Sequence, residues 1–447
     1  MIPATAQQEP SASSSNDSQK SNFEDNLTRA KAGDADAQYE LSLLYHSGVE
    51  VEKSETEAAY WLEKAAQNNH SEAQVEWGKS YFRRQEYRQS MEWFLKAAQA
   101  GNADAQHWMA YIYHNGIGIQ RNFAEAMLWD MKSAANGFSA AMDTIGYMYE
   151  HGEGVTIDYS AALKWYNRAA AAGNIHGQSN LASLYFNGRG VPQDFAKAAE
   201  LYTKPAAEDL AEAQYALGFI LVRGFAGKTD SARGIYLLQK AAAQNDPNAS
   251  AYLALLYVAD EFPQLPHDRG LAKKLAEPLA VQGNIFAERT MAVVESENQH
   301  YKGAFDWYQK AANQGDVVSV VRLAQFYRDG KGVAPDQGIA ARLFTRATEM
   351  DGNAMFLYEA AWFFATQEDP TVRNPELALR YALRAMAQTD GHNVPYLHTL
   401  AEAYFANGDL SQAISTEQRA LALQPGMPQL KESLARFQAA LKQKSFR

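Results

Sequence analysis

The sequence predicts an all-α fold, a right-handed α/α superhelical solenoid of about eleven helix pairs. Three observations carry this reading. A bulky residue returns at Trp61, Trp93, Trp129, Trp165, Leu201, Leu237, Leu275, Trp307, Leu343 and Tyr381, in steps of 32 to 38 residues. A second track, Tyr45, Tyr81, Tyr113, Tyr149, Tyr185, Tyr257 and Tyr327, is preceded eight places earlier by a small residue: Ala37, Ala73, Ala105, Ala141, Gly177, Ala249 and Ser319. Between the two tracks lies a glycine turn, as at Gly152-Glu153-Gly154-Val155 and Gly188-Arg189-Gly190-Val191. Self-similarity at such a period marks stacked repeats.

The elements follow in order. Residues 1–22 are rich in Ser, Gln, Asn and Asp and read as a disordered polar tail. Met1-Ile2-Pro3 has neither the basic start nor the apolar run of a signal peptide. The tail fits a tether left after an export signal is removed. The expected compartment is therefore periplasmic or otherwise extracytoplasmic, with the cytoplasm as the alternative. Asn26 to Lys31 reads as an N-terminal capping helix.

The repeat itself is two amphipathic helices. Ala141, Ile145, Met148 and Tyr149 fall on one stripe of a helix. Ala162, Trp165, Tyr166, Ala169 and Ala170 form a second stripe. The glycines end the first helix and permit positive φ in the turn, and Gly173-Asn174 ends the second. Small residues let backbones approach, and aromatic rings fill the remaining space. One pair cannot bury both stripes, but a stack can.

The pattern Ala…Gly…Tyr…Gly-x-Gly-Val…Asp…Ala…Trp-Tyr…Ala-Ala…Gly, fullest from Ala141 to Gly173, resembles the Sel1-like repeat, a relative of the tetratricopeptide repeat. About ten such units run from residue 35 to roughly 390. The resemblance implies a scaffold that assembles envelope or signalling complexes, in some members at host contact. An N-terminal arm is expected at 23–258 and a C-terminal arm at 259–390. The joint is suggested by Phe262-Pro263-Gln264-Leu265-Pro266 and by irregularity near 259–300.

Several units depart from the pattern. The second and eighth lack the glycine insertion, and Glu295 stands where Tyr is expected. Pro205 and Pro278 fall in second helices and are expected to kink or shorten them. Residues 391–447 read as an ordinary tetratricopeptide-like unit (Tyr404, Gly408-Asp409, Ala413, Ala420, Pro425) followed by a capping helix at 427–443.

Composition narrows the function classes. Of 447 residues, 47% are hydrophobic and 21% charged, enough for a packed core. The net charge of −11 repels phosphate backbones and anionic lipid heads, so no nucleic-acid partner is expected. There is no cysteine, and no apolar run approaches a bilayer span.

Catalytic motifs are absent from the sequence. Gly227-Lys228-Thr229 ends like a phosphate loop, but Val222 stands where its first glycine belongs, and no strand precedes it. No Gly-x-Ser-x-Gly or His-Glu-x-x-His occurs. Some relatives have been discussed as β-lactamases, yet the Ser-x-x-Lys that such chemistry uses occurs nowhere. His107, His114, His151 and His176 are not spaced as metal ligands. The expectation is no enzyme, no cofactor and no metal.

The resemblance implies that first helices line a concave groove. Offsets +2, +6 and +9 from each small residue point away from the buried stripe. They give Tyr39, Leu43 and His46; Val75, Lys79 and Phe82; His107, Tyr111 and His114; Asp143, Tyr147 and Glu150; Ser179, Ser183 and Phe186; and Tyr215, Phe219 and Val222. The expected partner-binding residues are Tyr39, Phe82, His107, Tyr111, His114, Tyr147, Glu150, His151, Phe186, Tyr215 and Phe219. The expected ligand is a partner protein or extended peptide, with an envelope or wall glycan as the alternative. Later units offer aliphatic positions (Ala251, Leu255, Val258, Val321, Leu357, Phe364), so that side is expected to be closed or to take a second partner.

Overall fold

The computed structural model describes residues 23–259 and 265–445, and in them the chain forms helices and turns with no strand. The expected polar tail, and the part of the proline-broken turn at 262–264, lie outside the described residues. The chain divides into two compact units, Met1–Thr229 and Asp230–Arg447. The stretch 259–300, where the sequence suggested a joint, lies inside the second unit.

The first unit begins with α1 (23–31). First and second helices then alternate: α2 (Ala35–Ser47), α3 (Glu55–Gln67), α4 (Ser71–Arg83), α5 (Tyr87–Gln99), α6 (Ala103–Asn115), α7 (Phe123–Ala135), α8 (Ser139–His151), α9 (Tyr159–Ala171), α10 (Ile175–Asn187), α11 (Phe195–Ala207) and α12 (Ala211–Arg223). The second unit continues the alternation with α13 (Ser231–Ala243), α14 (Pro247–Leu256), α15 (Arg269–Ala280), α16 (Ile285–Glu297), α17 (Tyr301–Asn313), α18 (Val317–Asp329), α19 (Gln337–Met350), α20 (Ala354–Thr366), α21 (Pro375–Met386), α22 (Val394–Ala406) and α23 (Leu410–Leu423). A longer helix, α24 (Pro428–Ser445), packs on α22 and α23. At the other end, Phe23, Leu27 and Ala30 of α1 pack on Leu41 and Trp61.

The turn chemistry explains the repeat. Gly152 closes α8 at φ 72°, and its N–H bonds the Met148 carbonyl. The N–H of Asp158 donates to the Tyr149 carbonyl at 2.9 Å, and its carboxylate caps α9 through Ala161. Asp194 and Asp336 repeat this with Tyr185 and Tyr327. The second glycine has a different duty. Gly154 lies against Phe123, the first residue of the preceding second helix, where a Cβ would come within 2.5 Å of the Phe123 Cβ. Gly118 and Gly190 meet Tyr87 and Tyr159 in the same way.

Ala141 and Ile145 pack with Ala134 and Ala169 as expected. Trp93, Trp129, Trp165 and Trp307 are only half-buried, and Lys96, Lys132, Arg168 and Lys310 lie 3.9, 4.0, 4.2 and 3.8 Å over their rings. The core is filled by the residue that follows, such as Phe94, Tyr166, Tyr202, Tyr308 and Phe344. Gly146 gives room for Tyr166, whose ring lies 2.6 Å from where a Cβ would be. In several repeats a buried glutamine ties the first helix to the helix before it: Gln38, Gln74, Gln106 and Gln214 donate to the carbonyls of Ala30, Ala66, Ala98 and Ala206.

One expectation is corrected here. Pro205 does not shorten its helix; α11 has the same 13 residues as α9. The proline sits in the last turn, and the carbonyl it leaves free finds another donor, Gln178.

Candidate partner-binding face of the first helices

Within the first unit, α8 packs directly against the next first helix, α10. Tyr111 and Tyr147 occupy the same place on α6 and α8, the ninth residue beyond each N-cap. They remain 43% and 41% exposed, although both are large and apolar.

Around Tyr111 the rings form a packed group. Trp108 lies 5.6 Å away at 79°, and Phe82 lies 5.2 Å from Trp108 and 6.2 Å from Tyr111. Phe82 also meets Tyr87 at 5.4 Å and is half-buried. Tyr147 stacks on exposed His151 at 4.0 Å and 25°. His114 Nε2 lies 2.6 Å from a Glu153 carboxylate oxygen in the following turn, which fixes its ring beside Phe123. His107 Nδ1 lies 2.7 Å from Asp130 Oδ1. Asp130 is only 1% exposed, its other oxygen has no partner, and burial pushes its carboxyl up from the ordinary value.

A separate ring group joins α10, α11 and α12. Phe186 lies 5.3 Å from Phe195 and 6.1 Å from Phe219, and Tyr215 lies 6.2 Å from Phe219. These rings are half-buried and packed on one another. Tyr39 stands apart. It stacks on His70 at 4.3 Å and lines a cleft of about 310 Å³ with Leu43, His46, Trp77 and Arg83.

Glu150 is not a groove residue. It is 8% exposed, accepts from the Tyr166 hydroxyl at 2.9 Å, and pairs with Arg189 of the next turn at 3.1 Å. Val75, Ser179 and Val222 are also buried, not outward-facing. A first helix contacts its own second helix and both neighbouring repeats, so its buried arc is wider than one stripe. Ala251, Val258, Val321, Leu357 and Phe364 in the second unit are buried for the same reason. Asp143 keeps a polar role: Asn180 donates to it at 2.9 Å, and burial pushes its carboxyl up.

Trp108, Phe195 and Phe225 belong to these groups and were missed by the offset rule. Trp108 follows His107 at offset +3, on the shoulder of the buried stripe, and the other two lie in turns or at a helix start. Among the described residues, no three His, Asp or Glu side chains converge as metal ligands, and no helix is long and apolar enough to cross a membrane.

The Sel1 repeat model matches nine segments: 35–70, 71–102, 103–138, 139–174, 175–209, 211–246, 297–316, 318–352 and 354–390. The unmatched stretch 247–296 contains the irregular seventh unit. A solved structure of c5321, described as a protective antigen of uropathogenic Escherichia coli strains with an SLR fold, is 26% identical over 93% of this chain and 97% of that one, with a TM-score of 0.55. A Sel1 repeat protein from Oxalobacter formigenes is 24% identical over 62% of this chain and 100% of that one, TM-score 0.40. One from Klebsiella pneumoniae is 20% identical over 42% and 91%, TM-score 0.31. No curated protein matches the sequence.

Proposed function

The chain belongs to the Sel1 repeat family, and from that premise we propose that it is a non-enzymatic adaptor. Solenoids of this type are generally protein–protein interaction scaffolds and are typically non-catalytic. In our reading, the first-helix face around Tyr111 and Tyr147 holds an extended segment of a partner protein. The observation that carries this is the repeated exposure of a large ring at one position of two successive first helices, beside fixed polar groups. Exposed aromatics on a rigid scaffold are effective anchors, because little side-chain freedom is lost on binding. His107, His114 and His151 supply polar contacts around them.

We place the protein outside the cytoplasm, in the bacterial envelope or at host contact. The likeness to a chain described as a protective antigen supports this. The test is affinity capture by the intact protein and by the Tyr111→Ala/Tyr147→Ala variant, with equal folding checked by circular dichroism. A protein captured by the first and not the second supports the adaptor. Equal capture rejects this face, and retention of a cell-wall glycan alone favours the carbohydrate alternative.

A further inference from the structure

The second unit contains a cavity of about 600 Å³ between α20, the loop after it, α22 and α24. This is within the size range of ligand pockets. His398 lies on its wall, with Nδ1 2.8 Å from Glu417 Oε1. Glu417 is 0% exposed and its second oxygen has no partner.

The placement of Glu417 is unusual for this fold. It is the eighth residue beyond the N-cap of its second helix. The same place holds Leu62, Phe94, Tyr166, Tyr202, Leu238, Ala276, Tyr308, Phe344 and Ala382 in other repeats. Only Asp130 and Glu417 are carboxylates there, and each faces a histidine, His107 or His398, five residues beyond the N-cap of its first helix. A buried carboxylate with an unused oxygen costs stability where a ring or aliphatic chain would pack. Its structural consequence in the eleventh repeat is to hold His398 by Nδ1 and leave Nε2 for the cavity.

The remaining groups define the ligand. Glu402, also on the wall, accepts from Arg436 and from the Ser433 hydroxyl through Oε1. Glu368 and Glu432 are exposed at the rim, as is Arg373, which has no ion-pair partner among the described residues. Trp362 lies 5.4 Å from the His398 ring. In the tautomer that donates Nδ1–H to Glu417, Nε2 is left as an acceptor. An acceptor, two carboxylates and an indole face suit a hydrogen-bond donor carrying positive charge. Arg373 is suited to a carbonyl of the chain that carries it.

We propose that this cavity is a second binding site, which accepts the ammonium group of a lysine side chain presented by a peptide, with His398 Nε2 and Glu432 as acceptors and Trp362 as the wall. Glu417 is a positioning residue. The site is independent of the first-helix face of the first unit.

The test uses the full chain and immobilised hexapeptide libraries fixed at the centre on lysine, ε-acetyl-lysine or norleucine. Lysine peptides are expected to bind about tenfold or more better than the other two. That preference is expected to vanish in His398→Ala and in Glu432→Lys; the latter changes an exposed residue and leaves the fold intact. Glu417→Gln is expected to weaken binding and to move the His398 side-chain ¹⁵N shifts, which report the tautomer. Equal binding of the three libraries, binding of none, lysine preference surviving Glu432→Lys, or saturation by chito-oligosaccharides instead would each overturn the proposal.

Discussion

Gln178 Nε2 donates to the Leu201 carbonyl at 2.7 Å, and Leu201 is the residue whose carbonyl Pro205 leaves without its helical N–H donor. The glutamines at the matching place in other first helices, Gln74 and Gln106 among them, bond backward to the preceding repeat. Gln178 instead turns toward its own second helix. The proline and the redirected glutamine therefore act together.

Removing that donor leaves a partly buried carbonyl unsatisfied. Gln178→Leu is expected to cost about 1–3 kcal/mol. In a Pro205→Ala background the restored N–H takes over the carbonyl, so Gln178→Leu costs less there. A double-mutant cycle read by urea denaturation checks this. Equal costs in both backgrounds would show that the bond and the proline are unrelated.

Two glycines with similar φ separate conformational cost from steric cost. Gly154 and Gly173 have φ of 73° and 84°. A Cβ at Gly173 meets nothing within 4 Å, whereas one at Gly154 strikes Phe123. Gly173→Ala is expected to cost about 1–2 kcal/mol from the left-handed backbone alone. Gly154→Ala is expected to cost about 1–3 kcal/mol more, because Phe123 begins a helix and cannot retreat freely. Thermal melts of the two variants give the comparison.

The repeat was legible because its signals are local. Ala141, Ile145 and Met148 recur at helical spacing, and Gly152 and Asp158 are the residues that a left-handed cap and an N-cap demand. Helix identity and order follow from such features. What faces the partner did not follow as well. Glu150 lies at an outward offset, yet it is buried by Tyr166 and by Arg189, which is 39 residues further on. Its fate depends on the next repeat's turn, which a single-helix projection ignores. The same limit hid the role of Trp129, since its neighbour Asp130 and not Trp129 occupies the core place. Tyr111 and Tyr147, at the same kind of offset, keep 43% and 41% of their surface exposed.

Buried phenols make the protein sensitive to alkali. Burial pushes the hydroxyls of Tyr166, Tyr202 and Tyr308 up, Tyr308 to about 12. An unfolded tyrosine ionises near pH ~10. Between these values the unfolded chain has lost protons that the folded chain keeps, so stability falls as pH rises. Tyr308 alone accounts for roughly 2–3 kcal/mol by pH ~12. Melting temperatures across this range should therefore fall less steeply for Tyr308→Phe than for the parent. Parallel curves would mean that this phenol ionises freely.

The His107–Asp130 pair gives the sharpest stability contrast. Asp130 stands where Phe94 and Tyr166 stand in the neighbouring repeats, and its burial is offset mainly by the hydrogen bond with His107. His107→Leu strands the carboxylate and is expected to cost about 3–5 kcal/mol at neutral pH. Because burial raises the Asp130 pKa, the carboxyl is neutral in both folded and unfolded chains at low pH. The cost then appears as pH rises through the ordinary carboxylate range toward the raised value, and it shrinks on acidification. The double variant His107→Leu/Asp130→Leu removes both polar groups and is expected to match or exceed the parent in stability. Denaturation midpoints of the parent and the two variants between pH ~4 and ~7 test this. A His107→Leu cost that does not change with pH would show that Asp130 is solvated, and that the pair does not hold the ring on the first-helix face.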